Sequence, residues 1–323
     1  MMKRRHCVSA LIAGALTVPL KAHSQATPIR RIGYLSVTQR GAFYEDFLQG
    51  LRDLGYAPPD TVIEKRFGDM ARLPELAAEL VRAKVSVIVT AGTPTSLAAK
   101  QATAAVPIVA VSGNPVATGL IDSLDRPGGN VTGLSIVSSD LDGKWVELLQ
   151  TLIPRQRRIA VLGRVAVPTT PYDRAGRARI EAAAASLGVQ LVHVAAPSAA
   201  EIDQAFAAAA KERVGGIVVL SDPLFAAHAA RIVALAAEHR MPAMYEHSLF
   251  FEAGGLMSYG PELHLVFRRA AVYVDKILKG AAPATLPVEQ PTRFELLLNV
   301  KAAKTLGFTF PQSLLLRADK VVE

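Results

Sequence analysis

The chain has 323 residues, half of them hydrophobic and a fifth charged, which is enough to build more than one buried core and excludes a disordered protein. Its formal net charge is +8, but Lys3, Arg4, Arg5 and Lys21 supply half of that within the first 26 residues, so nucleic-acid binding gains little support. The lone cysteine, Cys7, excludes a disulfide framework.

Residues 1–26 read as a targeting segment. A basic start precedes the apolar run Cys7 to Leu20, which is too short to span a bilayer, and the small residues Ala22, Ser24 and Ala26 are placed for cleavage near residue 24 or 26. Export to the periplasm, with the leader removed, is the expectation. Cys7 opens the apolar run and does not follow it, so a lipid anchor is not expected.

From Arg31 strands and helices alternate. Ile32 to Val37 is a strand; Phe43, Phe47, Leu51 and Leu54 form a helical stripe closed by Gly55; Thr61 to Phe67 is a second strand. Leu73, Leu76, Ala77, Leu80 and Val81 mark the next helix, and the β-branched run Val85 to Thr90 reads as a strand buried on both faces. It leads through Ala91-Gly92-Thr93-Pro94 into a third helix, and Pro107 to Ser112 is a fourth strand ending in Gly113-Asn114-Pro115. Such β-α units predict a parallel, doubly wound sheet.

The rhythm breaks at Pro127 to Asn130, where Val131 to Ser135 leads outward into a helix bearing Leu141, Trp145, Leu148 and Leu152. Strands then recur at Arg158 to Gly163, Val189 to Val194, Gly215 to Leu220 and Pro242 to Tyr245. Ser198 and Glu201 form a capping box before one intervening helix, and Asp222-Pro223 opens another. Gly254 to Gly307 adds a short strand, a long helix with Pro261 in its first turn, a proline-rich connector, the strand FELLLN and a short helix.

The fold class expected is therefore α/β with two lobes, each a doubly wound parallel sheet flanked by helices, in the type I periplasmic-binding-protein arrangement. The boundaries are 29–133 for lobe I, with parts of 254–323 returning to it, 139–253 for lobe II, and hinge crossings at 134–138 and 254–260.

In open parallel sheets ligands sit outside the C-terminal strand ends. That rule selects Ser36, Thr38, Gly92, Thr93, Ser112, Asn114 and Pro115 in lobe I, and Thr169, Thr170, Ser221, Asp222, Tyr245 and Glu246 in lobe II. The helix beginning at Gly92-Thr93-Pro94 would offer a carboxylate free N–H groups and the positive dipole end; Thr93 caps that helix, and either does only that or also donates to ligand. Asp222 and Glu246 could pair with an ammonium group, or serve as a helix cap and a solvated loop carboxylate. Asn114 could bind ligand or only shape its turn. Tyr245 and Tyr44 could stack on an aromatic solute or pack in the core.

No enzyme motif accompanies these residues. His193, His228, His239, His247 and His264 lack metal-type spacing, and there is no G-x-S-x-G, P-loop or G-x-G-x-x-G after the first strand. No catalytic residue, metal or cofactor is assigned.

The phrases FLQGLRDLGY, VSVIVTAGTPTSLAAKQAT, RPGGNVTGLS, VVLSDPLF, RIVALAAEHRMPAMYE, LPVEQPT-FEL and PQSLLLRADKVVE, in this order, resemble the tryptophan/tyrosine-type family of ABC-transporter substrate-binding proteins over nearly all of the chain after the leader. The resemblance implies an extracytoplasmic receptor of the type I fold, acting as a monomer, that closes on a small solute and delivers it to a membrane permease with its ATPase. It places the family's ligand loops at Thr90 to Pro94, Gly113 to Val116 and Ser221 to Pro223. Arg164 to Pro171 departs from the short asparagine-proline loop of many relatives, which puts Thr169 in doubt. The expected function is binding of a small polar or aromatic, amino-acid-like solute between the lobes. The alternatives are a ligand sensor of the same fold and, with less support, an exported α/β enzyme.

Overall fold

A computed structural model describes residues 29–37, 42–136, 141, 143–165, 167 and 171–323, the side chains of residues 42 and 171–173 excepted. The expected leader, Thr38, Thr169 and Thr170 lie outside the described residues. The first sheet comes from β1 (Arg30–Ser36), β2 (Thr61–Phe67), β3 (Val87–Ala91), β4 (Ile108–Ser112) and β5 (Val131–Ser135), with α1 (Ala42–Asp53), α2 (Leu73–Arg82) and α3 (Thr93–Ala102) between its first four strands. Its order is β2-β1-β3-β4-β5, and every pairing is parallel.

Continuous apolar strands need cover on both faces, and here they have it. Ile32, Tyr34, Val87, Val89, Val109 and Val111 face α1, while the alternate residues Leu35, Ile88, Ile108 and Ala110 face α2 and α3.

The second sheet begins after α4 (Lys144–Leu152). It takes β6 (Arg158–Gly163), α5 (Pro171–Ser186), β7 (Gln190–Ala195), α6 (Ile202–Lys211), β8 (Gly216–Val219), α7 (Pro223–Ala227), α8 (Ala229–Glu238) and β9 (Ala243–Tyr245). There follow α9 (Ser248–Glu252), β10 (Met257–Pro261), α10 (Leu263–Leu278), β11 (Phe294–Asn299), α11 (Val300–Leu306), α12 (Gln312–Leu315) and β12 (Lys320–Val322). The order is β12-β11-β10-β9-β8-β6-β7, parallel except where β10 meets β11. Ile159, Val161 and Val218 pack against α4 and α5; Ala160, Leu162 and Ile217 pack on the other face against α6 and α8.

The C-terminal stretch corrects the sequence reading in two respects. The second sheet is mixed, because β11 runs antiparallel to β10. The short strand expected near the crossing at 254–260 is paired in the second sheet over Met257–Pro261, so the chain passes between lobes at Glu262; Pro261 ends that strand and does not start the helix. Only part of the stretch returns to lobe I. Leu263, Val266, Phe267, Ala270 and Val274 of α10 join the core beneath α1, and Glu289 bridges Leu134 at the sheet edge, whereas β11, α11, α12 and β12 stay with the second sheet. Among the described residues the chain therefore passes between the sheets three times: after β5, at Glu262, and between Glu289 and Phe294.

Candidate functional site

The C-terminal ends of β3 and β8 bring the two lobes into contact. Gly92 follows β3 with φ +103° and ψ 156°, a backbone region open essentially to glycine, and a Cβ placed on it would lie 3.6 Å from Cγ of Pro223. The Gly92-Thr93-Pro94 turn of lobe I and the Ser221-Asp222-Pro223 turn of lobe II thus stand face to face.

Thr93 is the first helical residue of α3 and not its cap, which is Gly92. Its hydroxyl accepts the Gly113 N–H at 3.0 Å, so it ties the β3 and β4 strand ends together. Asn114 Oδ1 accepts the Ala117 N–H at 3.0 Å, and the Pro115 carbonyl accepts from Leu120 and Ile121, so both shape the turn after β4. Ser36 and Ser112 are buried at the ends of β1 and β4.

In lobe II, Asp222 caps α7: its Oδ1 accepts the Leu224 N–H at 2.7 Å. Burial raises its pKa, against the lowering effects of that N–H and of Arg164, whose guanidinium is 3.9 Å away. The carboxylate is therefore partly neutralised from one side and still open, with 18% of its side chain exposed.

Glu246 is buried, and its Oε2 accepts the Ser221 N–H at 2.6 Å. The Ser221 hydroxyl meets Nε2 of His247, whose burial lowers its pKa to about 4 and keeps the imidazole neutral near pH 7. The β9 end consequently holds the Ser221-Asp222 turn from beneath. Gly260 of β10 packs so closely on the Glu246 carbonyl that any side chain there would collide with it. Tyr245 lies 1% exposed with its ring stacked on Phe250 at 4.9 Å, and Tyr44 lies in an aromatic cluster with Tyr34 and Phe67. Both tyrosines are core residues, where the sequence left stacking on a solute open.

Two residues that shape this end of lobe II were not selected from sequence. His247 stands just beyond the β9 end, next to Tyr245 and Glu246, so the strand-end rule reaches it. Arg164 directly follows β6, so the same strand-end rule reaches it. Among the described residues no three His, Cys, Asp or Glu side chains are grouped to hold a metal.

The profile of the ABC transporter substrate binding protein family matches residues 33–322. The chain belongs to that family. Within it, a tyrosine-binding protein from Clostridioides difficile (strain R20291) is 24% identical over 331 residues, covering 95% of this chain and 93% of the relative. The solved structure of an ABC domain in complex with L-Trp from Streptococcus pneumonia superposes with a TM-score of 0.83 at 26% identity, over 91% of this chain and 99% of that one. A conserved domain protein from Vibrio cholerae gives the same TM-score, 0.83, at 27% identity, with the same coverage of 91% and 99%. This ABC substrate-binding protein therefore has the type I periplasmic-binding-protein fold, in a family whose members bind solutes, act with a membrane permease and are in general extracytoplasmic.

Proposed function

We propose that the protein is an exported, monomeric receptor that binds an amino-acid-like solute between its lobes and presents it to a permease driven by an ATPase. The observation that carries this reading is the Asp222 carboxylate, braced through Ser221 by Glu246 and His247 and standing in the turn that faces Gly92 of the other lobe. Asp222 takes the solute ammonium in competition with Arg164. The solute carboxylate lies at the start of α3, where unpaired backbone N–H groups and the helix dipole favour an anion.

In this reading Gly92, Thr93, Ser221 and Asp222 touch the solute. Ser36, Asn114 and Pro115 form the lobe I rim; Thr38 and Thr169, outside the described residues, remain candidates for contact with the solute. Glu246 and Tyr245 support the floor. The relatives' ligands, tyrosine in one name and L-Trp in one complex, favour an aromatic amino acid. Binding draws the lobes together about the three crossings, and the protein acts by that closure without chemical turnover. The leader ends near residue 24 or 26.

Thermal unfolding of the chain from Thr27 onward, against amino acids and small aromatic acids, tests this directly. A solute at a hundred times its Kd adds about 2.7 kcal/mol of stability. A raised midpoint with amino acids, lost in Asp222→Ala, is expected; no shift with any amino acid would overturn the reading.

A further inference from the structure

A second cavity, of about 430 Å³, lies at the hinge, and none of the facing strand-end loops lines it. That volume suits a small molecule. Segments from all three crossings contribute to it: Leu134 near the end of β5, Glu262 between β10 and α10, and Gln290, Thr292 and Arg293 before β11. The outer face of α10 supplies Leu265 and Val272, and Leu265 is 39% exposed.

The charges in this cavity are unevenly satisfied. Arg268 is fixed by Asp53 at 2.5 Å, and Arg269 by Glu289 at 2.8 Å. Glu262 and Arg293 are different. Their backbones are joined, Glu262 N–H to Arg293 carbonyl at 3.2 Å, yet among the described residues neither side chain makes a hydrogen bond or ion pair. An acid and a base at neighbouring places, both facing one cavity and not each other, leave one anionic and one cationic group to be matched.

We infer that this hinge cavity is a second ligand site, for a small zwitterion with an apolar body, such as an α-amino acid with an apolar side chain. Glu262 takes the ammonium, Arg293 takes the carboxylate by its planar fork of donors, and Leu134, Leu265 and Val272 cover the apolar part. Rotation of the lobes changes the relative positions of the crossings and so the shape of this cavity. Occupancy here and closure of the main cleft are therefore coupled, and the coupling is reciprocal. The inference does not depend on which solute the cleft takes.

The test uses methyl-labelled full-length protein after leader removal, titrated with L-phenylalanine, and with phenylacetate and phenethylamine as probes lacking one charge each. Saturable shifts of the Leu265 and Val272 methyls are expected with L-phenylalanine, and at least tenfold weaker ones with either control. Arg293→Ala and Glu262→Gln should each weaken this binding tenfold or more, and should do so as well in an Asp222→Ala background, where saturable shifts of these methyls persist with the cleft site removed. No saturable shift of these methyls, shifts that survive the double variant, or equal binding of a singly charged probe would overturn the proposal. Arg293 is exposed, and Glu262 is half-buried with no side-chain capping bond to α10, so the fold tolerates their change. A failure of the cleft reading would appear instead as loss of the Asp222-dependent site alone.

Discussion

Gly92 of one lobe and Pro223 of the other meet across the cleft, with 3.6 Å between a Cβ placed on the glycine and Cγ of the proline. That distance is an ordinary van der Waals contact, so alanine would fit the space at this lobe separation. The backbone at φ +103° is what it would not fit.

Gly92→Ala should therefore destabilise lobe I by roughly 1–3 kcal/mol through backbone strain. It should also weaken solute binding, because relaxing the strain re-aims the first turn of α3. Urea unfolding and calorimetric titration check the two effects. Wild-type stability and affinity together would show that the turn relaxes without consequence.

Asp222 combines two duties, and two substitutions separate them. Asp222→Asn keeps an oxygen to cap α7 and removes the charge; it should lower solute affinity while the unfolding midpoint changes little. Asp222→Ala removes both and should cost about 1 kcal/mol of stability as well. Because burial raises the pKa of Asp222, wild-type affinity for an ammonium-bearing solute should fall as pH drops through that raised value, and the asparagine variant should lack this limb.

His264 and His247 should respond to pH with opposite signs. His264 contacts Asp46 of α1 at 2.6 Å and Glu252 of α9 at 3.1 Å, which joins the lobes beside the Glu262 crossing. Burial lowers its pKa, but the two carboxylates outweigh burial and the net direction is upward from 6.5. Its contribution is fully present below pH 6.5 and is lost as pH rises through the raised value. Burial of His247 depresses its pKa to about 4, so folding is weakened as pH falls from 6.5 towards 4, where the unfolded chain binds the proton more readily. In chemical denaturation across pH, His264→Gln should lose stability relative to wild type mainly on the acid side of neutrality. A constant difference at all pH values would remove the ion-pair explanation.

Tyr56 anchors α10 to lobe I. Its hydroxyl donates to Asp275 Oδ1 at 2.8 Å in a buried contact, and Lys279 also reaches that carboxylate. Tyr56→Phe leaves the ring's packing in place and removes a bond to a charged acceptor, so a loss of roughly 1.5–3 kcal/mol is expected in urea unfolding. No change would mean that Lys279 alone satisfies Asp275.

Much of this molecule was legible because its signals are local. Apolar runs such as VIVTA, the turn at Gly92 and the Asp222-Pro223 helix start act within a few residues, so their physical chemistry is complete in the sequence. The strand-end rule then reached the two facing loops without any knowledge of contacts. It could not reach the pairing of Ser221 with Glu246 and His247, which are 25 and 26 residues further along. A buried carboxylate aimed at a backbone N–H and an exposed loop carboxylate have the same letter in the sequence.

The chain by itself determined two successive α/β units, the absence of a disulfide framework and the residue types at the strand ends, because periodicity and turn chemistry are short-range. Only the tertiary structure decided that β10 stays with the second sheet while α10 crosses to the first. Strand pairing and helix docking depend on which apolar faces remain uncovered after all the others have packed. The same long-range assembly buried Tyr245 and Tyr44, turned Glu246 into a brace for Asp222, and left Glu262 and Arg293 facing one cavity with neither paired.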